Sequence, residues 1–181
     1  MASVEWFYIV VVLVSGLAIS VGVIFPALGQ AHAASRAAEA IARQPDAANV
    51  ISRNLYIGLA MIESQALYVL IVALILIFAN PLASSVNVAA AQGTLALWFL
   101  ISSAATAALT ITVATMMSSY RQGRVTGTAL ESIAEQPAAQ DRISTTLFIS
   151  LALLESLALY ALIIALILLF ANPLIGYVLH G

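Results

Sequence analysis

Four apolar runs of 23 or 24 residues recur along the chain, separated by short polar segments: Trp6 to about Leu28, Leu55 to Phe78, Leu95 to about Met117, and Leu147 to Phe170. A helix of about 20 apolar residues crosses the hydrocarbon core of a bilayer, so the pattern predicts four transmembrane helices. A polar turn, Ala42-Arg43-Gln44-Pro45-Asp46, separates the first two runs, and its counterpart Ala134-Glu135-Gln136-Pro137-Ala138 separates the last two. Asn80-Pro81 and Asn172-Pro173 close the even-numbered helices, because proline cannot continue the hydrogen-bond ladder and asparagine favours a cap. The fold class predicted is an all-α membrane protein of two tandem helical hairpins, residues 1–82 and 94–181, joined by a linker over 83–93.

The two hairpins are copies. Ile62-Glu63-Ser64-Gln65-Ala66-Leu67-Tyr68 returns as Leu154-Glu155-Ser156-Leu157-Ala158-Leu159-Tyr160, a shift of 92 residues. The same shift carries Gln44-Pro45 onto Gln136-Pro137 and Asn80-Pro81 onto Asn172-Pro173. Residues 63–82 and 155–174 agree at 16 of 20 positions without a gap. That is the mark of gene duplication and fusion.

Composition narrows the functional classes. Of 181 residues, 63% are apolar and 8% charged, too few charges for the surface of a soluble domain, where roughly a quarter is usual. Lipid must cover much of the chain. A net charge of −2 gives no basic patch for nucleic acid. There are no cysteines, hence no disulfides or thiolate metal sites, and the two histidines, His32 and His180, lie too far apart for a zinc pattern and read as interface residues. The first apolar run lacks a basic segment before it and outlasts a signal peptide's apolar core, so it is expected to stay as a span. All six cations are arginines (Arg36, Arg43, Arg53, Arg121, Arg124 and Arg142), in or beside the Gln-Pro turns. The positive-inside rule then predicts cytoplasmic turns and both termini on the opposite side.

Small residues occupy every second position of the first helix at Gly16, Ala18, Ser20 and Gly22, and Ala108, Thr110, Thr112 and Ala114 follow at the shift of 92. Small side chains let helix backbones approach closely in lipid. Spread around more than one face, they suit helices flanked on both sides, as in a ring; a pair contact within one monomer is the plainer alternative. The Leu- and Ile-rich even helices suit an outer, lipid-facing layer.

Glu63 and Glu155 are the candidate functional residues. A lone charge in mid-membrane costs several kcal/mol, roughly 2.5–3.5 on insertion scales, and such residues mark ion or proton paths. The alternative is a protonated carboxyl bonded to a neighbouring helix for packing. Ser64 and Ser156 adjoin the carboxylates, and Tyr68 and Tyr160 follow at five residues' distance, able to hold a carboxylate rotamer by hydrogen bonding. Gln30 and Gln122 match at the shift of 92 and offer amide oxygens, or are simply polar residues at a solvated helix end. Carboxylate, amide, hydroxyl and carbonyl oxygens together suit a small hard cation, whereas a proton needs only the carboxylate.

Pro26-Ala27-Leu28-Gly29-Gln30, the Arg43-Gln44-Pro45 turn, Glu63-Ser64 with Tyr68, and Phe78-Ala79-Asn80-Pro81 resemble the c subunit, or proteolipid, of rotary F-type ATP synthases. The chain is most similar to sodium-binding members and to the N-type branch, over its whole length taken as two hairpins. The resemblance implies a homo-oligomeric, two-layered ring turning against a stator a subunit whose arginine displaces the ion from each glutamate. It implies no organic cofactor and no catalysis by the chain itself, but transport of Na+, or alternatively H+, through a bacterial-type inner membrane. By the same pattern, Gln30, Glu63, Ser64 and Tyr68 would belong to one class of site, and Gln122, Glu155, Ser156 and Tyr160 to the other. The backbone carbonyls of Met61 and Leu153 would complete the cages. The family pattern also draws glutamine and glutamate from one hairpin and serine and carbonyl from the next. Arg43, Gln44, Pro45, Glu135, Gln136 and Pro137 would meet the central stalk.

The second copy departs from the family pattern. Glu135 stands where Arg43 precedes Gln-Pro, so that turn is expected to grip the stalk less well; Ser118 replaces Pro26 and Arg121 replaces Gly29; and Leu157 replaces Gln65, so the two sites should differ in affinity. A monomeric transporter or channel is the rival class, but direct repeats without broken helices fit it poorly. A purely structural oligomer leaves the glutamates without a role.

Overall fold

The computed structural model describes residues 2–180, and the side chains of residues 4–179; the expectation for His180 lies outside the described side chains. The chain is almost wholly helical: α1 (Ala2–Gly22), α2 (Ile24–Arg43), α3 (Ala48–Phe78), α4 (Val86–Gln92), α5 (Thr94–Glu135), α6 (Gln140–Phe170) and α7 (Leu174–His180). Four helical stretches among the described residues are long and apolar enough to cross a membrane. The four apolar runs are thus the membrane portions of longer helices that continue past the arginines to the Gln-Pro turns.

The two turns have one geometry. Gln44 and Gln136 precede prolines and take φ/ψ of −138°/79° and −134°/76°, outside the α region because a following proline ring clashes with a helical residue there. A single 3₁₀ turn follows each, Pro45–Ala47 and Pro137–Ala139. At the other end the Asn80 side chain accepts from the Leu82 amide at 3.0 Å, and Asn172 from Leu174 at 3.1 Å, capping the bends that the prolines enforce.

One break separates the copies. α1 stops at Gly22 and α2 begins at Ile24, whereas α5 runs unbroken for 42 residues. Pro26 lacks the N–H that would bond Gly22 four residues back; Ser118 supplies one at the equivalent place. Residues 83–93 are mostly helical rather than an extended connection. A 3₁₀ turn over Pro81–Ser85, with Leu82 buried, leads into α4, where Val86 and Ala89 are buried, and the Gln92 amide donates to the Leu179 carbonyl of α7. Gly93, with φ +129° and ψ 176°, then starts α5 in a conformation that only glycine adopts without strain.

α5 packs against α1, α2, α3 and α6, and is the most buried of the four spans. α1/α2 and α5 lie side by side as one layer, with α3 and α6 as the other. The second layer exposes Leu67, Leu74, Phe78, Leu153, Ile163 and Phe170, an apolar surface suited to lipid. Where α2 crosses α5, glycine permits backbone contact: a Cβ on Gly123 would overlap the backbone of Gly29, and one on Gly29 would lie 2.7 Å from the Ser119 carbonyl oxygen. Of the small residues in α1, Ala18 and Gly22 face this interior, while Gly16 and Ser20 face outward. Toward the turns, Ala37 and Ala40 of α2 pack with Leu130 and Ile133 of α5, and Arg36 reaches Glu131 at 3.0 Å.

Candidate functional site

Glu63 and Glu155 are each the central residue of a 31-residue helix, α3 and α6. Their surroundings differ. Glu155 is buried, 8% exposed, where α6 meets α5 and α3. Tyr68 of α3 donates its hydroxyl to Glu155 Oε1 at 2.6 Å, and the Ser64 hydroxyl lies 2.8 Å from the same oxygen. Gln122 of α5 and Gln65 of α3 each donate from Nε2 to Glu155 Oε2, at 3.1 and 3.2 Å. Four side chains from two helices of different hairpins therefore converge on one carboxylate and orient both of its oxygens.

A second set of bonds orients the first. Gln122 Nε2 also donates to the Leu151 carbonyl at 3.3 Å. Gln65 Nε2 donates to Ser118 Oγ at 2.9 Å, and Ser118 in turn donates to the Leu154 carbonyl at 2.6 Å. Ser64 Oγ is 2.7 Å from the Met61 carbonyl, so its single proton serves that oxygen or Glu155. Both amide oxygens at the site, Gln65 Oε1 and Gln122 Oε1, are buried without a hydrogen-bond partner. Such atoms carry a desolvation cost, and turned toward the carboxylate they are donor atoms for a cation. Among the described residues no three His, Cys, Asp or Glu side chains cluster. One carboxylate with neutral oxygens balances a monovalent ion, not a divalent one.

Glu63 has one partner where Glu155 has four. Gln30 Nε2 donates to Glu63 Oε2 at 2.7 Å, and the pair is exposed at the side of the first hairpin. Ser156 donates to the Leu153 carbonyl at 2.8 Å, and Tyr160 is 62% exposed, both on the second hairpin's free side. Sorting the site residues by copy is therefore corrected by the fold: Ser64 and Tyr68 join Glu155 and Gln122, while Glu63 keeps only Gln30. This is the division in which serine and glutamate come from successive hairpins. Gln65 and Ser118 are additional site residues not expected from the motif. Their signal was their change across the duplication, Gln65 to Leu157 and Ser118 back to Pro26, at two positions that touch in space.

The sequence model of the ATP synthase C-subunit family matches twice, over residues 13–76 and 105–168. The chain belongs to this family. The two matched segments are offset by 92 residues, the same shift that relates the two glutamates. A c subunit of the ATP synthase of Cereibacter sphaeroides, the one numbered 2, is 53% identical over 70 residues, 39% of this chain and 84% of that protein. The ATP synthase c subunit of Dictyoglomus thermophilum is 44% identical over 79 residues, 44% of this chain and 94% of that protein. Each relative thus spans a single hairpin, and this chain is a c-type hairpin duplicated and fused. Proteins of this family are membrane components of a larger synthase and not its catalytic part. In the family's terms, the Glu155 site is a junction between two hairpins that the fusion has placed within one chain. Arg43, Pro45, Glu135 and Gln136 lie exposed at the turn end, more than 20 residues along the helices from Tyr68 and Tyr160.

Proposed function

We propose that the chain is the rotor-ring subunit of a rotary ATP synthase or ATPase, carrying Na+ across the membrane on Glu63 and Glu155. The observation that carries this reading is the unequal completion of the two sites. Glu155 finds its partners inside the chain, whereas Glu63 with Gln30 and Ser156 with Tyr160 are complementary halves on opposite sides. Head-to-tail repetition joins such halves and closes into a ring. A groove of about 540 Å³ on the second hairpin's free side supports this, lined by Arg121, Val125, Ala129 and Ser150 among others. Shifted by 92, these four become Gly29, Ala33, Ala37 and Gly58, which are buried at the seam between the hairpins. The next copy's α2 fits the groove as α5 fits the first hairpin.

Sodium is favoured over a proton because the Gln65 and Gln122 amides, which present Nε2 to Glu155, each carry a buried oxygen without a partner; turned over, these two oxygens would join the Ser64 hydroxyl and the Met61 carbonyl around a cation. In this reading a stator arginine displaces the ion, the turns at Arg43-Gln44-Pro45 and Glu135-Gln136-Pro137 meet the central stalk on the cytoplasmic side, and both termini face away across a bacterial-type inner membrane. Two measurements test it. Native mass spectrometry of the detergent-solubilised ring should give an even number of hairpins, twice the number of chains; a monomer overturns the ring. Sodium should slow modification of the glutamates by a hydrophobic carbodiimide, which reacts only with the protonated acid. Absence of protection at any pH makes the coupling ion a proton.

A further inference from the structure

Within this ring reading, the glutamates alternate between junctions inside a chain and junctions between chains. Inside the chain, fully buried Gln65 lies against Glu155 and donates to Ser118, which bonds the Leu154 carbonyl beside Glu155. At the junction between copies the same two positions are Leu157 of one chain, 55% exposed on the free side, and Pro26 of the next. Both members of a touching polar pair have become apolar together. Leucine offers no oxygen to a cation and no donor to a carboxylate, and proline cannot anchor a neighbouring amide. Arg121, exposed on the same side where Gly29 stands in the inner seam, adds a positive charge to that junction. Every one of these exchanges weakens cation retention at Glu63.

We infer that the ring bears two alternating classes of cation site, a tight one at Glu155 in which Gln65 is the specificity-determining residue, and a weak one at Glu63. Gln65 Nε2 bonds both Glu155 and Ser118, which fixes the amide beside the carboxylate, and its oxygen is buried without a partner; with the amide turned over, that oxygen is the ligand Gln65 offers a cation. The consequence is a ring in which only every second carboxylate holds sodium at low sodium concentration, the others exchanging protons.

The test uses the intact ring in mild detergent, treated with dicyclohexylcarbodiimide at fixed pH and ionic strength. Sodium chloride is titrated against choline chloride, and peptides bearing Glu63 and Glu155 are quantified separately by mass spectrometry. Half-protection of Glu155 is expected at a sodium concentration on the order of tenfold below that for Glu63, the worth of one ligand to a charged group. Gln65→Leu should raise the Glu155 value toward that of Glu63, and Leu157→Gln, a change on the exposed side, should lower the Glu63 value. Equal half-protection of both glutamates, or earlier protection of Glu63, overturns the inference while leaving sodium coupling intact. Loss of protection at both in the unmutated ring overturns sodium coupling and this inference together.

Discussion

Ser64 and Glu155, 91 residues apart in sequence, stand 2.8 Å apart from Oγ to Oε1, although each has an equivalent partner residue within its own copy of the repeat. The exchange of partners across hairpins decides which glutamate each neighbouring side chain serves, and it can be tested residue by residue.

Tyr68→Phe removes a 2.6 Å hydrogen bond to Glu155 and none to Glu63. Hydrogen bonds to charged groups are worth about 1.5–3 kcal/mol, and losing this one favours the protonated acid that carbodiimide attacks, so the reaction of Glu155 should quicken several-fold or more at constant pH and sodium. Glu63 should keep its rate. A change confined to Glu63 would restore the grouping by copy.

The α2–α5 seam should tolerate no side chain at Gly123. Gly123→Leu drives its Cβ into the backbone of Gly29, and overpacking of this kind costs about 1–3 kcal/mol or more. The temperature at which the ring dissociates in detergent should fall markedly, or the ring should fail to assemble. Gly176→Ala in α7, where nothing lies within 4 Å, should leave that temperature unchanged.

A cross-link reads the contact between copies. The backbone contact of Gly29 with Gly123 maps, at the shift of 92, onto Arg121 of one chain and Ala31 of the next. A chain with both Arg121→Cys and Ala31→Cys should form a ladder of disulfide-linked oligomers on mild oxidation, because a Cβ at each position holds the two backbones apart, out of glycine–glycine contact and toward the roughly 4.4–6.8 Å Cα separation that a disulfide spans. Either cysteine alone should remain monomeric on a denaturing gel. A double variant that also stays monomeric would refute the head-to-tail junction.

Orientation can be read from exposed positions at the two ends. Asp46→Cys and Ala138→Cys at the turns should react with a membrane-impermeant maleimide from the cytoplasmic side, and Ser84→Cys from the other; all three are exposed. Labelling of Asp46→Cys and Ser84→Cys from one face would refute the hairpin topology.

Four helices, two Gln-Pro turns, the duplication and both glutamates were legible in the chain itself. These depend on local physics: length and hydropathy make a span, proline forbids the preceding residue a helical conformation, and a repeated motif declares itself at a constant offset. The helical course of residues 83–93 was less legible, because α4 is only seven residues long and gains its stability from burying Val86 and Ala89 against the longer helices. Only the tertiary structure decided the partners of each carboxylate. Glu63 and Glu155 sit in nearly the same local sequence, so nothing near them in the chain says which is buried. That follows from which side of each hairpin the other covers. The first hairpin turns Ser64, Gln65 and Tyr68 inward, and the second turns Gln122 and Glu155 toward them. Gln30 with Glu63, and Ser156 with Tyr160, remain on opposite outer sides, because two hairpins share one seam and a chain of two cannot close upon itself.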